Sequence, residues 1–126
     1  MASNSKLYYK KWEFKRNRLK YHLKNKNTNN LPRLVIFRSN KNIFTQLIDD
    51  IKNKTILSVS SIDKNIQGDI NKAKNKIEKS VIVGNALAEK MKKANIAQVI
   101  FDRNGYKYHG RVKALCDAVR KKEITI

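Results

Sequence analysis

The stretch FDRNGYKYHGRVKAL, residues 101–115, gathers Asp102, Arg103, His109 and Arg111 around two tyrosines and two glycines. Those types could supply an acid, a base and an electrostatic clamp. Catalysis, however, needs groups that converge in space, and the stretch holds no serine or cysteine to act as a nucleophile. A lone histidine entering a helix is ordinarily a structural or phosphate-contacting group. Asp49, Asp50 and Asp102, with Glu78 and Glu89, raise a second chemistry, a divalent-metal-dependent nuclease. That reaction needs several carboxylates brought together on the metals. If the fourth strand of the sheet runs parallel to the first and the second runs against it, Asp49 and Asp102 should lie at opposite ends. The aspartate pair then reads as a solvated turn, and Asp102 as an ion pair or a cap. The nuclease stays as an alternative reading, with a general RNA chaperone as another.

Binding a polyanion is the third chemistry, and composition favours it. The chain's 126 residues carry 29 Lys and Arg against 10 Asp and Glu, a formal net charge of +19. Such a surplus repels itself unless a polyanion lies against it. Lysines and arginines neutralise phosphate, aromatic rings give stacking platforms, and Ser, Asn and Gln reach sugar hydroxyls and base edges. All three sets occur in the N-terminal arm with Tyr8, Tyr9, Trp12 and Tyr21, in the turn FRSNKN with Arg38, Ser39, Asn40 and Lys41, and in residues 101–115. Lysines of KAKNKIEK and KMKK read instead as solvating the face of a helix. A single cysteine, Cys116, excludes an internal disulfide, and His22 and His109 supply no zinc-ligand spacing, so no metal or cofactor is expected. No apolar run nears the ~20 residues that span a bilayer. The N-terminus lacks the apolar block of a secretory signal, and the chain therefore reads as intracellular and soluble, without a membrane partner.

The elements that position these residues follow from the pattern. Residues 1–30 form a basic arm, with Lys6, Lys10, Lys11, Lys15, Arg16, Arg18, Lys20, Lys24 and Lys26 opposed only by Glu13. Ser5 as cap and a stripe of Tyr8, Trp12, Leu19 and Leu23 predict a helix once its charge is neutralised. The polar NKNTNN and Pro32 end it. Residues 31–126 then form a globular α/β domain. RLVIF, IFTQLID and TILSVS predict an antiparallel meander, because their short polar connections leave no room for parallel crossovers. Leu57 and Val59 alternate with Ser58 and Ser60, giving a buried and a wetter face. Apolar spacing from Ile70 to Ala94 predicts one helix of about seven turns, capped by Asp69 and stopped at Asn95. AQVIFD follows as a fourth strand and HGRVKALCDAVRKKE as a last helix. A long helix between strands of one sheet makes a right-handed crossover, so the fourth strand should lie parallel to the first.

Within residues 101–115 these elements favour holding over reacting. Asn104 and Gly105 tolerate positive φ and suit a tight turn after the strand. Gly110 lets a backbone approach closely, and the helix start beyond it turns unpaired N–H groups toward a phosphate. Arg103, Lys107, His109 and Arg111 surround that point. Tyr106 and Tyr108 could each close the edge of the core or stack on a base.

LPRLVIFRSNKNIFTQLIDD, KTILSVSS, VGNALAEK and VIFDRNGYKYHGRVKALCDAVR resemble, in order and spacing, the bacterial large-subunit ribosomal protein eighteen family. The resemblance covers residues 31–120. It implies a small α/β domain with a basic N-terminal extension, non-enzymatic and cytoplasmic within the large ribosomal subunit. Such a protein would bind 5S rRNA, contact 23S rRNA and help attach the 5S RNA at the central protuberance. Its implied neighbours are large-subunit proteins five and, where present, twenty-five. Carried over by position, the RNA-facing residues are Arg16, Arg18, Lys20 and Lys24 of the arm, then Arg33, Arg38, Ser39, Asn40 and Lys41, then Arg103, His109, Gly110 and Arg111. Asn42 and Phe44 depart from the histidine and tyrosine common there, and the tail KKEITI lacks the usual glycines.

Overall fold

Short β-branched runs joined by polar turns fold as β1 (Arg33–Arg38), β2 (Ile43–Asp49) and β3 (Lys54–Ser60) in a computed structural model that describes residues 10–19, 21 and 30–126. Ser5, Tyr8, Leu23 and most of NKNTNN lie outside the described residues. β1 pairs antiparallel with β2 from Arg33 opposite Ile48 to Arg38 opposite Ile43, and β2 with β3 from Phe44 opposite Ser60 to Asp49 opposite Lys54. After the helices, β4 (Ile100–Asp102) lies parallel to β1, in the strand order β3-β2-β1-β4. The expected mixed sheet is therefore present, with β4 beside β1. Only three of the six residues in AQVIFD join the ladder. The preceding segment pairs elsewhere, Gln98 bridging to Thr125 of the tail, with Val99 N–H donating to the Thr125 carbonyl at 2.9 Å.

The expected single helix from 69 to 95 is two. α2 (Gln67–Lys72) follows a 3-10 turn at Lys64–Ile66 and stops at Ala73, which is extended at φ −66° and ψ 135°. α3 (Lys76–Lys93) then starts afresh on Asn75, whose side chain accepts from Glu78 N–H at 2.9 Å while the Glu78 carboxylate reaches back to Lys74 N–H at 2.6 Å. This reciprocal pair resembles a capping box and satisfies backbone donors that a continuous helix would have bonded internally. Asp69 is thus inside α2 and is no cap. The stop at Asn95 holds: its φ is 59°, and Ile96 N–H donates back to the Met91 carbonyl, the left-handed termination that asparagine tolerates.

α4 (Arg111–Lys121) closes the layer, and α3 lies against it through Gly84. A Cβ there would sit 2.7 Å from the Leu115 carbonyl oxygen and 2.9 Å from the Ala118 Cβ. Leu34, Ile36, Leu47 and Val59 from the sheet pack with Val83, Leu87 and Met91 of α3 and with Val112, Leu115 and Val119 of α4. Each such side chain contributes roughly 1.5–3 kcal/mol by leaving water. Cys116 is buried in the same layer, and that burial pushes its thiol up to about 12. Val59 is buried while Ser58 is exposed, as the alternation predicts. Among the described residues no helix is long and apolar enough to cross a membrane.

The far face of β1 matters for function. Val35 is as buried as Leu34 yet lies outside the helix-facing cluster. Helix α1 (residues 10–19) covers this face near Phe37, through Arg16. The arm's first described turns are therefore seated on the sheet.

Candidate nucleic-acid interface

Asp102, the acid of the suspected catalytic stretch, is fully buried and committed twice. Its Oδ2 accepts from Arg33 Nη1 at 2.6 Å, and its Oδ1 accepts from Asn104 N–H at 2.8 Å. Arg33 also forks onto Asp50 through Nε and Nη2, both at 3.0 Å. Burial works against the Arg33 charge, but the hydrogen bonds and charges of Asp50 and then Asp102 outweigh it and raise its pKa. Arg33, carried over as RNA-facing, has its guanidinium fork occupied by these two carboxylates. One correction follows. The aspartates at the β2 end and Asp102 are not at opposite ends of the sheet, because the short β4 pairs with the first half of β1 and brings Asp102 to the same arginine as Asp50. Asp49 instead accepts from the Ile51 and Lys52 N–H groups of the β2–β3 turn. Among the described residues no three His, Cys, Asp or Glu side chains group to hold a metal ion.

The turn after β4 follows the sequence closely. Asn104 and Gly105 have φ of 56° and 82°, and Tyr106 N–H donates to the Arg103 carbonyl at 3.0 Å. Gly110 has φ 58° and ψ −121°. The nearest atom to a Cβ there would be Ile77 Cδ1 at 3.9 Å, so within the protein its glycine serves the backbone conformation.

This turn sets a line of rings and guanidiniums. The Tyr106 hydroxyl accepts from Arg38 N–H at 3.3 Å and donates to the Arg38 carbonyl at 3.4 Å, while the Arg38 guanidinium lies 4.9 Å over the Tyr106 ring. Trp12 of α1 sits 5.7 Å from Tyr106, and the Arg16 guanidinium lies 5.4 Å from Trp12 and 5.7 Å from Phe37. Tyr108 instead meets Phe101 edge-on and accepts from Arg120 Nη1, closing the core edge. Both tyrosines have structural partners.

The β1–β2 turn joins the same face. Ser39 N–H donates to the Asn42 carbonyl, and the Ser39 carbonyl accepts from Arg111 Nη1 at 2.9 Å. Asn40 Oδ1 accepts from Lys76 Nζ at 3.0 Å, and Asn42 Oδ1 accepts from Ser61 Oγ at 2.9 Å. Arg111 is held below the usual arginine range, by burial first and then by the charge of Arg38. Two guanidiniums thus crowd one edge of the turn.

Arm helix, β1–β2 turn and β4–α4 loop, far apart in the chain, are side by side in space. The family described as ribosomal L18 of archaea, bacteria, mitochondria and chloroplasts matches residues 8–126. The chain belongs to the ribosomal L18 family. Large ribosomal subunit protein uL18 of Lactobacillus johnsonii is 53% identical over 90 residues, covering 71% of this chain and 72% of that protein. The uL18 of Fusobacterium nucleatum is likewise 53% identical, over 71% and 73%. That of Rickettsia felis is 46% identical over 112 residues, 89% of this chain and 92% of the relative. As a ribosomal L18 the chain is a structural protein of the large ribosomal subunit, in the cytoplasm with the ribosome, and not an enzyme.

The L18 candidates sort by their surroundings. Arg16, Arg38, Ser39, Asn40 and Arg111 converge as described. Lys41, Arg18 and His109 are exposed and Arg103 partly so, and their side chains make no hydrogen bond or ion pair among the described residues. Lys20 and Lys24 lie outside the described residues. Sequence reasoning missed Lys76, placed among solvating lysines, which reaches the β1–β2 turn. Asn75 with Glu78 three positions on marks where α3 starts, but no local signal places that start against Asn40.

Proposed function

We propose that this ribosomal protein binds 5S rRNA, contacts 23S rRNA and helps attach the 5S RNA to the large subunit at the central protuberance, beside large-subunit protein five and, where present, protein twenty-five. The observation that supports this reading is the convergence of α1, the β1–β2 turn and the β4–α4 loop on one basic face, with Arg38, Tyr106, Trp12 and Arg16 in line across it. Residues 1–30 act as a binding arm on a body formed by residues 31–126. Arg16, Arg18, Lys20, Lys24, Arg38, Lys41, Arg103 and Arg111 neutralise phosphates, and Ser39, Asn40 and His109 add polar contacts. The helix start after Gly110 presents backbone N–H groups to the RNA. Arg33 has no part in contact and braces the sheet. Most of the affinity comes from phosphate neutralisation, and specificity from RNA shape with a few polar contacts.

Competition tests the reading. Labelled 5S rRNA bound to the protein is challenged with unlabelled 5S rRNA or a scrambled RNA of equal length. At physiological salt the 5S rRNA should compete at least about a thousandfold better, the usual lower end of specific over non-specific nucleic-acid binding. Equal competition would make the protein a general RNA chaperone.

A further inference from the structure

Asn104 and Gly105 form the sequence's one Asn–Gly pair, since Gly68, Gly84 and Gly110 follow glutamine, valine and histidine. Asparagine is chemically labile, most of all before glycine, where no side chain hinders the next backbone nitrogen. We propose that Asn104–Gly105 is a site of spontaneous deamidation, and that α1, seated over the bond, guards it. The inference stands apart from the RNA-binding reading.

The chemistry needs only water. Hydroxide takes the Gly105 amide proton, and the nitrogen attacks Asn104 Cγ. The new C–N bond closes a succinimide ring, while the Cγ–Nδ2 bond breaks and ammonia leaves with a proton from water. Water then opens the ring on either side of the nitrogen. Opening at Cγ gives aspartate, and opening at the Asn104 carbonyl carbon gives isoaspartate, whose main chain is longer by a methylene. Overall a water enters and an ammonia departs, with nothing oxidised or reduced.

The fold holds this bond back in two ways. Asn104 is fully buried, and neither its Nδ2 nor its Oδ1 has a hydrogen-bond partner, so packing alone restrains the carboxamide. The main chain is tied instead. Asn104 N–H donates to Asp102 Oδ1 at 2.8 Å and Tyr106 N–H to the Arg103 carbonyl at 3.0 Å, across residues with φ of 56° and 82°. Ring closure swings the Gly105 nitrogen onto Cγ and so has to open that turn. α1 is the second restraint. A Cβ on Gly105 would stand 3.1 Å from Trp12 Nε1 and 3.4 Å from Arg16 Cβ, so the helix leaves the turn little room to open.

Charge works to lift this cover. α1 brings Lys10, Lys11, Lys15, Arg16 and Arg18, with Glu13 as its acid, onto a body that shares the +19 surplus. Arg16 Nε is buried there without a partner, and its lost hydration weakens the seat. Once α1 lifts, the turn opens to water and the amide is lost. The product resists closing again. Aspartate puts a charge where Asn104 is fully buried, and isoaspartate lengthens the loop that pairs Tyr106 with Arg38.

The test follows conversion of Asn104 to aspartate and isoaspartate by peptide mass mapping of the full chain held at mildly alkaline pH. A synthetic RNGYK peptide gives the unguarded rate. The wild type should convert more slowly than the peptide, and Trp12→Ala about tenfold faster than the wild type, as expected when a large apolar side chain leaves the seat. Trp12→Leu should fall between them, which preserves the comparison if the alanine variant fails to fold. Gly84→Ala strains the α3–α4 contact instead and should leave the rate near that of the wild type. A rate indifferent to residue 12 would overturn the guard. So would equal acceleration by Gly84→Ala, which assigns the opening to unfolding of the whole domain. A wild type as fast as the peptide, or an amide intact in every protein while the peptide converts, would overturn the proposal outright.

Discussion

Asp102 illustrates how little a residue's type says about its task. Placed in a stretch with histidine and arginine it has the makings of an acid, yet its two oxygens hold Arg33 and the Asn104 N–H in a site without solvent. Truncating one member of a buried ion pair leaves the other charge uncompensated, so Asp102→Ala should cost about 3–5 kcal/mol in urea unfolding. A loss below about 1 kcal/mol would place it in the range of surface ion pairs instead. RNA contact is a separate matter at this scale. Of the arginines and histidine in the loop, Arg111 holds the Ser39 carbonyl and so braces the turn, while Arg103 and His109 leave their side chains free for a ligand among the described residues.

At the scale of elements, the contact between α3 and α4 governs where the functional loops stand, since α4 starts at Gly110 and α3 at Asn75. Gly84 sets how closely these helices approach. In an isolated helix alanine gains about 1 kcal/mol over glycine. Here the added Cβ meets backbone at 2.7 Å, which rigid helices relieve only by shifting. Gly84→Ala should therefore destabilise by about 1–3 kcal/mol, read as a lower urea midpoint with an unchanged m-value. A stabilised variant would show that the helices part freely. The break between α2 and α3 has the complementary origin: local caps at Asn75 and Glu78 outweigh an apolar period that runs through it.

Charge acts on the whole molecule. A surplus of +19 is tolerable to a compact chain when its partner is a polyanion, and the described part of the arm already leans on the body through Trp12 and Arg16. Deleting residues 1–30 should weaken 5S rRNA binding at least roughly 100-fold and lower the log K–log salt slope by two or more, with each lost phosphate contact worth about 0.7–0.9. Circular dichroism of the truncated protein provides the check that the body remains folded. Unchanged affinity and slope would remove the arm from the interface.

Alternation, turn chemistry and connection length determined the meander, the parallel β4 beside β1, the Asn104–Gly105 turn and the stop at Asn95. These depend on interactions within a few residues, or on how far a connection reaches, and both are written locally. The division of α2 from α3 was also local, legible in Asn75 and Glu78 but masked by the longer apolar spacing. Tertiary structure alone decided that Arg33 meets an aspartate 69 positions away, that Arg38 and Tyr106 are paired across 68, and that Lys76 faces the β1–β2 turn. Those pairings depend on strand register and on the layer each side chain enters. The same residue types, shifted by one position in a strand, would have faced the opposite side.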